Sequence, residues 1–295
     1  MVSIITITYN RAHLIEETIK SVLAQSYSSF EYLIVDDGSD DNTEELIRKI
    51  NDSRIKYHKL PRSGALNKIR NYGITHATGK YIAFIDSDDT WMENKLELQI
   101  KLMEENSELG FTFCEAVIYN EQEILFPNIY NQKYKGNYSG NFFYPLITDV
   151  RFFIFPSSIV IRKECLNKTG LLDEELMCAD KDLYAQLAYH FKAALIDKCL
   201  VRMRRHDSNI SNKIDFHTQK ILEDEIVTLT KFYRSGFINK NVLERMSAVF
   251  YYKQGEFFYH QSLFKDAKKR YYNSLLKNPL QAKALAKYLL SYIKS

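Results

Sequence analysis

Four absences narrow what this chain can be. No stretch approaches the roughly 20 consecutive apolar residues that a membrane-spanning helix requires. The cysteines, Cys114, Cys165, Cys178 and Cys199, show no CxxC spacing, which argues against a zinc ribbon or disulfide framework and for reduced thiols. The opening "VSIITIT" lacks the basic then apolar order of a signal peptide, so the expected compartment is the cytosol. Finally, "TYNRAHLIEE" has no glycine, whereas a nucleotidyltransferase would carry a glycine-rich, basic phosphate loop after its first strand.

The composition is that of a folded protein. A length of 295 residues, 45% hydrophobic and 26% charged, leaves room for one large α/β domain and a smaller appendage. The net charge of +3 is too small to argue for a nucleic-acid partner. It is also unevenly spread: from Lys265 to the end, eight Lys or Arg residues stand against one acid, Asp266.

β-branched runs alternate with helical periodicity in the first half. "VSIITIT" reads as a strand, and "AHLIEETIKSVLAQS" as a helix, with Leu14, Ile15, Ile19, Val22 and Leu23 on one face. "EYLIVDDGS" is a strand broken at Gly38, with Ser39 or Asp40 expected to cap the helix in "DNTEELIRKI". A strand at 54–59, a helix at 65–76 and a strand at 80–85 continue the pattern, which predicts a mostly parallel sheet. Later, "GFTFCEAVIY" and "SSIVIRKECL" read as strands, "ADKDLYAQLAYHF" as a helix, and "AALIDKCLVRMRRHDSNIS" as a strand entering a charged loop. Beyond about 214 only helices are expected. There Tyr251, Gly255, Phe258, Ala267, Tyr271 and Pro279 fall at the aromatic, small and proline positions of a single tetratricopeptide-like hairpin.

Ligands of such sheets sit beyond the carboxyl ends of the strands. Asp36-Asp37 and Asp86-Ser87-Asp88-Asp89 would share that edge, with Asp180 and Asp182 at the start of a later helix. So many like charges call for a cation. Carboxylates in D-x-D spacing, completed by water and phosphate oxygens, suit Mg2+ or Mn2+, and His206 would add a nitrogen that favours Mn2+. The competing reading of Asp86 to Asp89 is a solvated turn, with Asp89 or Thr90 starting the helix "MENKLELQIKLMEE".

Five segments in order, "VSIITITYNR", "EYLIVDDGSDDNT", "SGALNKIRNYGITHATGKYIAFIDSDDTW", "CADKDL" and "RRHDSNIS", make residues 1–211 resemble a family 2 glycosyltransferase of the GT-A fold. The resemblance implies a Rossmann-like mixed α/β sheet over 1–213, followed by an α-helical extension over 214–295. It implies an inverting, hexosyltransferase-type enzyme that takes its donor from a nucleotide-diphospho-sugar, usually a UDP-sugar. The acceptor would be a saccharide or lipid-linked hydroxyl in cell-surface polysaccharide or glycolipid synthesis. By position, Thr8, Tyr9 and Arg11 resemble the first nucleotide loop, Asp36 the carboxylate facing the base, and Arg70 a basic residue reaching the nucleotide and diphosphate. Asp86 and Asp88 match the D-x-D pair, with Ser87 between them and Asp88 the nearer metal ligand. His206 has the place of a loop closing over the diphosphate, where Arg204 or Arg205 would meet phosphate oxygens.

Asp180 is the candidate general base, with Asp182 as fallback. The family commonly has Glu-Asp where this chain has Ala179-Asp180, and Lys181 beside the acid is expected to weaken it as a base. A catalytically inactive binding module acting through its helices is therefore the second reading. Two readings also remain for the basic carboxy-terminal stretch: a solvated helix face around a tyrosine seam, or peripheral contact with an anionic membrane face carrying a lipid-linked acceptor. Trp91 is expected to be a packing residue.

Overall fold

The computed structural model describes residues 1–120, 122–130, 138–177, 179–206, 209 and 216–294. Cys178, the expected domain boundary at 213/214, and Asp207, Ser208, Ile210 and Ser211 of "RRHDSNIS" lie outside the described residues. The chain divides into two compact units. One comprises Met1–Leu146, Val150–Glu175 and Ala179–Asp207; the other comprises Ile147–Asp149, Leu176–Cys178 and Ser208–Ser295.

The first unit is built on one mixed sheet. Its first half alternates as read: β1 (Val2–Thr8), α1 (Ile15–Leu23), β2 (Phe30–Asp36), α2 (Thr43–Lys49), β3 (Ile55–Lys59), α3 (Leu66–His76) and β4 (Tyr81–Phe84). Then follow β5 (Thr90–Trp91), α4 (Lys95–Glu105), β6 (Leu109–Tyr119), β7 (Ile124–Phe126), β8 (Tyr138–Gly140), α5 (Phe143–Thr148), β9 (Val160–Arg162), α6 (Leu166–Thr169), α7 (Asp180–His190) and β10 (Lys192–Arg204). Strand order is β3-β2-β1-β4-β9-β6-β10-β5, with β7 on β6 and β8 on β10. β1, β2 and β4 are buried at nearly every residue, as expected where both faces of a parallel sheet are covered.

Direction within the sheet decides where the site lies. β1 runs parallel to β2 and β4, and β2 to β3, with Thr8 opposite Asp36 and Asp36 opposite Lys59. β9 is antiparallel to both β4 and β6, and β10 is parallel to β6. Two reversals cancel. The carboxyl ends of β1, β2, β4 and β10 therefore meet one edge of the sheet, and the turn leading into β9 starts from that same edge.

Three expectations change. Neither Ser39 nor Asp40 caps α2: Ser39 Oγ accepts from Asn10 N, Asp40 pairs with Asn10, and Asp41 accepts from Thr43 N instead. "SSIVIRKECL" gives only a three-residue strand, because Pro156–Ser158 and Lys163–Cys165 form 3-10 turns on either side of β9. Asp89 and Thr90 start no helix either, since Thr90–Trp91 pairs with β10 as β5 and α4 begins only at Lys95. Trp91 is a packing residue, buried, with its Nε1 donating to Ser157 O at 2.8 Å.

The second unit contains α8 (Phe216–Arg234), α9 (Lys240–His260), α10 (Phe264–Lys277) and α11 (Ala282–Lys294), each packed on the next. The tetratricopeptide-like positions explain the α9–α10 pair. Phe258, Ala267 and Tyr271 form its buried cluster, and Gly255 lets the Tyr271 ring approach α9, where a Cβ would stand 2.5 Å from it. Tyr271 Oη reaches back to Glu256 Oε1 at 2.5 Å.

Candidate active site

At the end of β1, Thr8 is buried, and its Oγ1 has no hydrogen-bond partner among the described residues. A buried hydroxyl without a partner costs free energy, on the order of 1 to 3 kcal/mol, unless a ligand or water satisfies it. Next to it Tyr9 is 37% exposed, and the Arg62 guanidinium lies 3.7 Å from its ring centroid. Arg11 donates its backbone N–H to Thr43 Oγ1.

At the end of β2, Asp36 is fully buried and takes Tyr57 Oη at 2.5 Å and Ser39 N at 2.8 Å. Asp37, also buried, gathers the loop after β3: it accepts from Ser63 N and Oγ, from Gly64 N and from the Arg62 guanidinium. Gly38 permits this arrangement. Its φ is +75°, and a Cβ there would sit 2.8 Å from Arg62 N. The part that Asp37 and Arg62 play in bracing the loop beside Tyr9 was not apparent from sequence; the only cue was a cation just before the Ser63-Gly64 pair.

The acids after β4 separate into different roles. Asp86 faces Arg70, with Oδ1 at 3.1 Å from Nη2, while its side chain keeps 36% of its surface open. Asp88 turns to His206, whose Nε2 lies 3.0 Å from Asp88 Oδ2. Asp89 is buried and structural: it accepts from Ser157 Oγ at 2.6 Å and from Arg204 N at 3.2 Å. Ser157 Oγ in turn accepts from Asp86 N at 3.0 Å, so the 3-10 turn leading into the reversed strand β9 brings a hydroxyl that ties the acidic loop together. Ser87 is buried among them.

Arg70 on α3 is the centre of the arrangement. Its Nη1 reaches both carboxylate oxygens of Asp180, at 2.8 and 3.0 Å, while Nη2 reaches Asp86. A cation that touches Asp180 is therefore Arg70, 110 residues away in sequence. Removal from water raises the Asp86 carboxyl above its ordinary value; Arg70 opposes that shift, and the charges of Asp88 and Asp180 add to it. Burial raises Asp89 as well, with Asp86 and Asp88 contributing. Asp182 is buried on α7 and accepts from Gln186 at 2.8 Å, a helix contact.

Among the described residues, no three His, Cys, Asp or Glu side chains surround one point as metal ligands. Mg2+ and Mn2+ do not need such a cage: one or two carboxylates plus phosphate oxygens and waters complete their octahedron. A two-donor set of Asp88 and His206, beside the partly exposed Asp86 carboxylate, fits that chemistry. Arg204 has no part in it, because its guanidinium is held by Glu17 and Tyr119. Arg205, whose N donates to Tyr119 O, is the arginine that continues into the loop.

The glycosyl transferase family 2 model matches residues 3–168. WfgD of Escherichia coli, a UDP-Glc:alpha-D-GlcNAc-diphosphoundecaprenol beta-1,3-glucosyltransferase, is 39% identical over 137 residues, covering 46% of this chain and 54% of that protein. WfaP of Escherichia coli, named for the same activity, is 33% identical over 185 residues, covering 63% and 68%. The chain spans about half the length of WfgD and 22% of an uncharacterized glycosyltransferase from Rickettsia conorii. Among solved structures, S. aureus TarS 1-349 in complex with UDP-GlcNAc superposes with a TM-score of 0.72 at 18% identity, covering 99% of this chain and 89% of that one. A Pyrobaculum calidifontis mannosyltransferase in complex with GDP-Man and Mn2+ gives 0.63 at 18% identity, covering 100% and 80%. With the GT-A-type mixed sheet and the family model agreeing over more than half its length, the chain belongs to glycosyl transferase family 2.

Proposed function

We propose that the protein transfers a sugar from a nucleotide-diphospho-sugar, a UDP-sugar by preference, to a hydroxyl acceptor with inversion at the anomeric carbon. The observation that carries this is the meeting of Asp86 and Asp180 on Arg70, beside the Asp88–His206 pair, at the strand-end edge that bears Thr8 and Asp36. Thr8, Tyr9, Arg11 and Asp36 would take the nucleoside. Asp88 and His206 would hold Mg2+ or Mn2+, which when bound neutralises charge on the leaving diphosphate. Asp180 removes the proton from the acceptor oxygen as that oxygen forms its bond to the anomeric carbon, and the nucleoside diphosphate leaves on the opposite side. Arg70 Nη1 holds both oxygens of the Asp180 carboxylate from one side, so that its remaining lone pairs can face the acceptor.

The UDP-GlcNAc held by TarS and the UDP-Glc named for WfgD and WfaP support a UDP-sugar, and the diphosphoundecaprenol acceptor in those two names supports a lipid-linked one in polysaccharide or glycolipid synthesis. Such an acceptor would place the reaction at the cytoplasmic face of a membrane; among the described residues no helix is long and apolar enough to cross one. The test is release of nucleoside diphosphate from UDP-, GDP- and dTDP-sugars, with and without Mn2+. Metal-dependent release from a UDP-sugar, lost in Asp88→Ala, is expected. An intact protein that neither binds nor cleaves any of the donors would leave a binding module in place of the enzyme.

A further inference from the structure

From the chemistry of the helical unit we infer a docking surface for an anionic lipid bilayer on α10 and α11. Lys265, Lys268, Lys269 and Tyr272 of α10, with Tyr288 of α11, line a hollow of about 270 Å3. The Tyr272 and Tyr288 rings stand 6.0 Å apart at its rim. Arg270 and Lys287 point elsewhere, to Glu223 at 3.3 Å and Glu256 at 3.4 Å.

The charge on this surface is beside exposed leucine. Along α10, Leu276 continues the stripe of Lys265, Lys268, Lys269 and Tyr272 at helical spacing, and along α11 Leu285 and Leu289 flank Tyr288. Leu276 is 62% exposed, Leu289 55%, and Leu280 in the connecting turn 92%. Lysines that can reach phosphate, tyrosines at the level of the headgroups and leucines that can enter the acyl boundary are the combination by which a helix lies in a membrane interface. Other occupants fit less well. Self-association would set lysine against lysine, since Lys265 to the end carries eight bases and one acid. Nucleic acid offers nothing for the leucines to enter. The excess of positive charge lies in the carboxy-terminal stretch: the rest of the chain has a net negative charge.

The experiment is co-sedimentation of the full chain with vesicles of phosphatidylcholine, alone or mixed with phosphatidylglycerol, and needs no sugar transfer. Association with the mixed vesicles only, weakening as salt is raised, is expected. Lys265→Glu/Lys268→Glu/Lys269→Glu should reduce it at least about tenfold, and Leu276→Asp/Leu280→Asp should reduce it while leaving donor hydrolysis and the melting curve unchanged. Loss in the leucine variant separates a bilayer from a soluble phosphate ligand. Equal association with both vesicle types, none with either, or an undiminished lysine variant overturns the inference. So does a vesicle-free dimer dispersed by the leucine variant, or an oligonucleotide complex lost in the lysine variant.

Discussion

Arg70 Nη1 lies 2.8 Å from Asp180 Oδ1 and 3.0 Å from Asp180 Oδ2, with the two side chains only 10% and 14% exposed. The resemblance assigned this arginine to the nucleotide and diphosphate; its contacts here include the candidate base and Asp86. The two roles separate kinetically. Arg70→Lys keeps the charge and loses the fork. If Arg70 orients Asp180, kcat falls about tenfold or more, with little change in KM for the donor. A rise in donor KM at constant kcat would assign Arg70 to the diphosphate. Asp180→Asn should lower kcat by a factor of about 100 to 10,000, while donor affinity persists in calorimetry.

His206 is expected to set the metal preference. Removing the imidazole leaves an all-oxygen set, which suits Mg2+ at least as well as Mn2+. In His206→Ala, the Mn2+ concentration for half-maximal donor hydrolysis should rise about tenfold, and the advantage of Mn2+ over Mg2+ should shrink. An unchanged metal profile would remove His206 from the site. Chelation with EDTA should stop hydrolysis in the native protein.

These relationships show which parts of the molecule could be read in advance. Strand and helix alternation was legible through β4 because β-branched runs and helical stripes have different periods, and the acids at strand ends followed from it. Partners distant in sequence were not legible. Nothing local links Arg70 to Asp180 across 110 residues or Asp89 to Ser157 across 68, and no propensity announces that β9 runs against its neighbours. The segment "SSIVIRKECL" reads as a longer strand because its β-branched centre, Ile159 to Ile161, carries the signal, while the turns on either side have no glycine to mark them.

Acid stability should depend on Glu31. Burial alone would raise its pKa, but hydrogen bonds from Lys56, Ser3 and Thr78 outweigh it and hold the carboxyl at about 2. A depressed carboxylate stabilises the fold above its unfolded pKa of about 4.3, and that contribution is lost as pH falls toward the folded value. Glu31→Gln should therefore cost on the order of 2 to 3 kcal/mol at pH 7 and flatten the fall in denaturation midpoint between about pH 4.3 and 2. A variant with the same acid slope as the native protein would discount this carboxylate.

A Cβ at Gly255 would meet Tyr271, whose ring is fully buried and whose hydroxyl is fixed by Glu256. Ala gains about 1 kcal/mol of helix propensity over Gly, but forced repacking in a tight core costs about 1 to 3 kcal/mol. Gly255→Ala is expected to lower the melting temperature. A rise would show that the aromatic ring yields easily.

The arrangement of strands at the edge that bears the candidate site also has a kinetic implication. Asp88 and His206 are 118 residues apart in sequence, and they are adjacent only because β4 and β10 share a sheet with the short, reversed β9 between β4 and β6. Ladders of such long range form late and slowly. After dilution from denaturant, turnover should return behind the far-ultraviolet signal of the helices, making the donor a reporter of the final strand to dock.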